Sequence, residues 1–286
     1  MCGIAALFTY GNAAAPIALP ALRAIRDRMA LRGPDGTGEW LSADGRVALG
    51  HRRLSIIDLR AIADQPMEHG GRLHIVFNGE IYNYKALRDE LIGQGRNFRT
   101  TSDTEVILQL YDRDGPDFVK RLRGMFAIVL WDEARGGMLL ARDPLGIKPL
   151  YIADDGRTLR IASQVKALLA DSTVDTRPDP AGHVGFFLWG AVPEPYTLYR
   201  GIRSLPAGHT QWIDRRGPQK PRAYWSLVET LTRAPAAPAS TEARRALLRE
   251  TLIDSLRHHF VADVPVGVFL SAGLRSEEHT SELQSH

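Results

Sequence analysis

The sequence predicts an α+β fold built on antiparallel sheets, and three observations carry that expectation. Short β-prone apolar runs follow one another at residues 2–8, 47–49, 53–59 and 73–78, and again at 126–131, 138–142, 150–152 and 159–162. Two segments of helical period, 83–94 and 103–112, sit side by side between those groups. Gly136-Gly137 and Asp155-Gly156 are hairpin turn signals, and tight hairpins join antiparallel strands. Strands that cluster with strands and helices with helices indicate a layered α+β domain; a doubly wound nucleotide fold would alternate them.

Residues 2–8 form a compact apolar run suited to a buried strand, and 21–31 place Leu22, Ile25 and Met29 at helical spacing with arginines facing water. The runs at 47–49, 53–59 and 73–78 are bounded by glycine or charged turn residues. Helical period resumes through Leu87 and Leu91, then through Val106, Ile107 and Leu110, before the four later strands. This unit is expected to occupy residues 2–200. A connector over 201–240, richest in Ala and Pro at 232–240, precedes a helix at 241–259. Ser240 or Thr241 would cap that helix, and Leu247, Leu248, Leu252 and Leu256 form its apolar stripe. Residues 264–270 read as a continuous apolar strand ending in Ser271-Ala272-Gly273.

A chain of 286 residues holds one large domain or two, and 44% hydrophobic with 24% charged residues is an ordinary globular balance. The net charge of +3 is spread among acids, which gives no support for nucleic-acid binding. One cysteine excludes an internal disulfide and a cysteine-based zinc site, and no metal ligand set is read elsewhere. The apolar opening, residues 4–8, lacks a basic leader and is too short for a signal sequence or a membrane span. A cytoplasmic enzyme is expected.

The single cysteine is Cys2. Removal of Met1 would place a thiol and an α-amine on one residue, and an amine with pKa near about 7.7 can take the proton of a thiol near about 8.5. Position alone favours a small buried apolar residue, and the motifs downstream reverse that reading. Arg32-Gly33-Pro34-Asp35-Gly36 is a rigid turn carrying an Arg and an Asp. Gly50-His51-Arg52-Arg53 sets three basic side chains where they would either be solvated or hold a carboxylate. Asn78-Gly79 offers an amide side chain and a glycine N–H to a developing oxyanion, or simply makes a turn. Ser102-Asp103-Thr104-Glu105 opens a helix, so Asp103 is either part of a cap or a partner for a substrate ammonium.

Together these motifs resemble the glutaminase domain of class II glutamine amidotransferases, which are N-terminal nucleophile hydrolases, and more narrowly the glutamine-hydrolysing asparagine synthetase family. The resemblance rests on Met1-Cys2-Gly3-Ile4, Arg32-Gly33-Pro34-Asp35, Arg53-Leu54-Ser55-Ile56, Gln65-Pro66-Met67, Asn78-Gly79-Glu80-Ile81-Tyr82-Asn83, Ser102-Asp103-Thr104-Glu105, Gly124-Met125-Phe126-Ala127 and Arg142-Asp143-Pro144-Leu145-Gly146. It implies a four-layer αββα sandwich, attack of a cysteine on the glutamine side-chain amide, and release of ammonia. It implies Cys2 as nucleophile, Asn78 and Gly79 as oxyanion donors, Arg53 as the clamp on the substrate carboxylate, and Glu80 and Asp103 around its α-ammonium. Leu54, Ser55, Ile56 and Ile57 complete the implied glutamine pocket. Leu31 departs from the family, which often has histidine there.

Residues 263–271 resemble the strand that enters the pyrophosphate loop of an α/β ATP-pyrophosphatase-type synthetase domain, so 241–274 are expected to begin such a domain. Leu270, Ser271 and Gly273 are the implied ATP-binding positions, while Ala272 and Arg275 depart from the Ser-Gly-Gly-Leu-Asp-Ser pattern. Residues 275–286 look like the translation of a sequencing-adapter oligonucleotide and are expected to be non-native. By resemblance, ATP, Mg2+ and aspartate belong to a full-length parent that makes asparagine, and a homodimer fits. The competing expectations are another class II amidotransferase with a different acceptor, and a degenerate assembly or regulatory domain.

Overall fold

The computed structural model describes residues 1–11, 15–234, 238 and 240–268. Among the described residues, thirteen strands form two antiparallel sheets. The strands are β1 (Gly3–Thr9), β2 (Gly36–Leu41), β3 (Val47–Arg53), β4 (Met67–His69), β5 (Leu73–Ile81), β6 (Gly124–Asp132), β7 (Gly137–Arg142), β8 (Tyr151–Asp154), β9 (Thr158–Ala162), β10 (Ile202–Ser204), β11 (His209–Asp214), β12 (Gly217–Pro218) and β13 (Arg222–Ala223). The first sheet runs β10-β8-β9-β1-β3-β2, and the second runs β12-β11-β7-β6-β5-β4 with β13 also paired to β11. The helices are α1 (Leu19–Asp27), α2 (Tyr84–Gly93), α3 (Asp103–Asp114), α4 (Val165–Leu168), α5 (Pro180–Trp189), α6 (Leu227–Thr232) and α7 (Thr241–His259).

Alternation along β1 explains the layering. Ile4, Ala6 and Phe8 enter a core between the sheets with Val76, Val129 and Leu140, whereas Ala5 and Leu7 turn to the other face and pack with Leu22, Ile25 and Leu168 of α1 and α4. The outer face of the second sheet buries Ile75, Phe77 and Ile128 against Leu87, Val106 and Leu110 of α2 and α3. Three apolar interfaces therefore separate four layers, α1 and α4, first sheet, second sheet, then α2 and α3, and the expected αββα sandwich is the fold. Ser102 caps α3 by accepting the Thr104 N–H, and Gly115, at φ 62°, ends it.

Several expectations need correction. The run 53–59 is not a strand: β3 stops at Arg53, and its guanidinium binds the carbonyls of Ile57 and Asp58, which curls the following residues into a loop. The first helix starts earlier than expected, with Pro20 in its first turn, and a 3-10 turn at Ala30–Arg32 replaces its end. Sheet pairing carries the layered unit past residue 200, because β10 pairs with β8 and β11 with β7. α7 forms over the expected span with the Ser240 cap, and its leucine stripe is exposed. No strand forms over 264–268, the described part of the run 264–270. Leu270, Ser271 and Gly273 lie outside the described residues.

Candidate active site

Cys2 sits one residue before β1, in phase with Ile4, Ala6 and Phe8, so alternation turns its side chain into the space between the sheets at the end of that core. There it lines a pocket of about 90 Å3. The Leu54 N–H donates to Cys2 Sγ at 3.4 Å, and the thiol donates to the Leu54 carbonyl at 3.5 Å. Burial pushes the Cys2 thiol up, against the pull of its Leu54 hydrogen bond and of the nearby α-amine and Arg53. Arg32 Nε donates to the Cys2 carbonyl at 3.0 Å, and Asp35 accepts the Ser55 N–H at 2.8 Å. A Cβ at Gly33 would lie 2.3 Å from the Arg52 carbonyl, so this turn presses directly on β3. The Arg-Gly-Pro-Asp turn thus fastens both strands that flank the thiol.

The opposite wall is the end of β5. β4 begins only after Pro66 and pairs with residues 73–75, so β5 beyond Ile75 has no strand on that side. Phe126 bonds Asp143 through both its N–H and its carbonyl, which fixes Gly79 and Phe126 as a non-hydrogen-bonded pair. The N–H groups of Phe77, Gly79 and Ile81 consequently face the bare edge. The Phe77 N–H donates to Gln65 Oε1 at 2.6 Å and the Ile81 N–H to Asp103 Oδ2 at 3.1 Å. The Gly79 N–H lies between them, on a residue that lines the pocket. A Cβ there would meet the Met125 carbonyl at 2.2 Å, so only glycine lets β5 and β6 close at this point. Asn78, 1% exposed, lines the same pocket, and its buried Nδ2 has no hydrogen-bond partner. Buried amide donors are almost always paired, and an unpaired one costs about 1–3 kcal/mol.

Arg53 Nη1 donates to Arg60 O at 3.1 Å and to Asp64 Oδ1 at 2.6 Å, while Nη2 donates to the carbonyls of Ile57 and Asp58. Its terminal N–H groups therefore shape the loop that brings Ile56 and Ile57 to the pocket. Asp103 lines the pocket at the N-terminus of α3, and burial pushes its carboxyl up to about 7, with Glu80 adding to the rise. Burial also raises Glu80, against the pull of Lys148.

Of the residues expected from sequence, Cys2, Arg53, Leu54, Ile56, Ile57, Asn78, Gly79, Glu80 and Asp103 converge on this one pocket. Ser55 does not line it. Gln65 and Thr104, which belong to motifs of the resemblance but carried no expected role, line it too, as does Lys148, two residues beyond the Gly146 that ends another such motif. Gln65 holds the edge from both directions, accepting from Phe77 and donating to Thr104 Oγ1 at 3.2 Å. Lys148 stands on a turn built around Asp143, whose carboxylate accepts the N–H groups of Phe126, Leu145, Ile147 and Lys148. The arrangement sets a thiol, unpaired N–H donors and carboxylates around a space of small-molecule size.

Comparison with known proteins agrees with this architecture. A putative glutamine-hydrolysing asparagine synthetase of Mycobacterium tuberculosis is 40% identical over 294 residues, covering 96% of this chain and 44% of that protein. Asparagine synthetase B of Escherichia coli is 37% identical over 96% of this chain and 43% of its own length. The chain thus spans under half the length of the curated relatives it matches. Glutamine phosphoribosylpyrophosphate amidotransferase of Bacillus subtilis superposes with a TM-score of 0.58 over 79% of this chain and 50% of that one at 22% identity, a likeness of fold. The sequence model of the glutamine amidotransferase domain matches residues 1–225, and the chain belongs to that family.

Proposed function

We propose that the pocket binds glutamine and that Cys2 hydrolyses its side-chain amide to glutamate and ammonia. With Met1 removed, the α-amine of Cys2 takes the thiol proton and the sulfur attacks the amide carbon. Negative charge moves to the carbonyl oxygen, where Asn78 Nδ2–H and the Gly79 N–H receive it. The intermediate collapses to a thioester as the amine returns its proton to the departing ammonia. Water then attacks the thioester and restores the thiol. Asp103 and Glu80 offer carboxylates to the α-ammonium of the substrate. Arg53 supplies positive charge to the side that takes its carboxylate and holds the loop forming that wall.

The observation that carries this proposal is the buried Asn78 Nδ2, unpaired in a pocket that also contains the only thiol. An acceptor is needed there, and an oxyanion supplies it. In the full-length parent the ammonia would amidate aspartate activated by ATP with Mg2+. The names of the relatives support the asparagine product, and the motif resemblance supports a homodimeric, cytoplasmic parent. The glutaminase unit would then run to about residue 225, where the family match ends.

The test is intact mass after incubation with 6-diazo-5-oxo-L-norleucine, a glutamine analogue that alkylates the attacking nucleophile. A single adduct on Met1-free chain, absent in Cys2→Ala, is expected. An adduct that persists in Cys2→Ala, or none on folded Met1-free protein, would discard the assignment.

A further inference from the structure

The loop that carries Ile56 and Ile57 is held from two sides. From within, Arg53 takes the carbonyls of Ile57 and Asp58. From without, it is met by a residue well beyond the matched domain. The Asp263 N–H donates to the Ile56 carbonyl at 2.8 Å, and the Asp58 N–H donates to Asp263 Oδ2 at 2.7 Å. Asp58 is itself 3% exposed and sits at φ 50°, a backbone state that non-glycine residues rarely adopt.

The segment that delivers Asp263 is anchored. Arg123 pairs with Asp254 of α7, His259 lies 4.8 Å ring to ring from Tyr82, and Val261 packs on the core that contains Ile57 and Tyr84. Asp263 is exposed apart from this clasp, so its carboxylate has no burial role that would otherwise account for it.

We propose that Asp263 is a positioning residue for glutamine, contributed from outside the amidotransferase match and fixing the apolar wall of the pocket through Asp58. This rests on the glutaminase function proposed above. Cys2, Asn78 and Gly79 stand on or beside strands and do not depend on the clasp. The loop does, because without the Asp263 carboxylate the Asp58 N–H is left to water, which satisfies the donor but does not tie the loop to the segment that carries Asp263. A wall that spends most of its time displaced weakens ligand binding by its lost occupancy and leaves the chemical step unchanged. The glutamine pocket is therefore completed by the segment that leads away from the domain, and displacement of that segment loosens the substrate.

The experiment measures glutamine affinity by calorimetry in a Cys2→Ala background, with kcat and KM in the Cys2 protein and hydrogen exchange at the Asp58 amide. Asp263→Ala should weaken glutamine binding about tenfold, raise KM in parallel, leave kcat within about twofold and speed Asp58 exchange. Asp263→Asn keeps a carbonyl acceptor and should stay within about threefold of the parent. Parental affinity in Asp263→Ala, or equal losses in Ala and Asn, would overturn the inference. Failure of the Cys2→Ala parent to bind glutamine at all would instead sink the glutaminase proposal, and with it the ligand named here.

Discussion

Truncating Asn78 to alanine separates catalysis from stability in an unusual way. The amide Nδ2 makes no hydrogen bond in the resting protein, so its removal costs no protein contact of that kind. Losing an unpaired buried donor relieves about 1–3 kcal/mol, and the small cavity left behind costs a similar amount. Thermal stability should change by only a few degrees. In the reaction the same group meets a charge that exists only after attack, and one such donor is worth about 2.7–4 kcal/mol of barrier. We therefore expect kcat for glutamate release to fall by two to three decades, with KM within about threefold, because the ground-state amide gains little from the donor. Asn78→Asp keeps the shape but sets a carboxylate against the oxyanion, and it should lose still more. A coupled glutamate assay beside a melting curve decides the matter. An Asn78→Ala enzyme within tenfold of wild-type kcat would refute the oxyanion role.

Three further outcomes are expected. Gly79→Ala, whose Cβ would lie 2.2 Å from the Met125 carbonyl, should lose at least ~2 kcal/mol in denaturant unfolding through separation of β5 and β6. His51, fully buried and bonded through Nε2 to the Phe77 carbonyl at 3.1 Å, is pushed down to about 4 by burial. The unfolded chain then binds the extra proton first, so stability falls as pH drops from about 6.5 to 4, and His51→Gln should flatten that limb of the Tm-against-pH curve. Asp103 has the opposite sign: its folded carboxyl holds the proton up to about 7, so stability falls as pH rises from about 4 to 7. Asp103→Asn should melt higher than wild type at pH 8 while raising KM for glutamine, and an unchanged KM would exclude it from the ammonium site.

Much of the fold was legible because each sheet strand obeys one alternation. Cys2 reads as inward-facing as soon as Ile4, Ala6 and Phe8 are taken as its register. The loop after Arg53 reads as a strand because Ile56 and Ile57 are β-prone, and nothing local announces that Arg53 will bind the carbonyls ahead of it. β10 and β11 fall within 201–240, the stretch expected as connector, and only their partners β8 and β7 give them a place. The vacancy at Asn78 Nδ2 has no sequence signature, since it depends on which neighbours fail to arrive. Lys148 is silent for the same kind of reason: the Asp143 turn that delivers it is knotted by backbone N–H groups, which all residues but proline carry.

The short reach of β4 has a consequence for how this fold can vary. A sheet edge with free N–H groups invites another chain to pair with it, and proteins ordinarily suppress such edges. Here suppression is selective: Gln65 and Asp103 occupy the positions on either side, and one donor is spared. Had β4 continued past its pairing with Ile75, the sheet would be more complete and that donor would be consumed by an ordinary ladder bond. Variants in which β4 is lengthened by four residues, far enough in its register to pair with Gly79, should thus be stable and inert, since what the protein needs at this place is a strand that stops early.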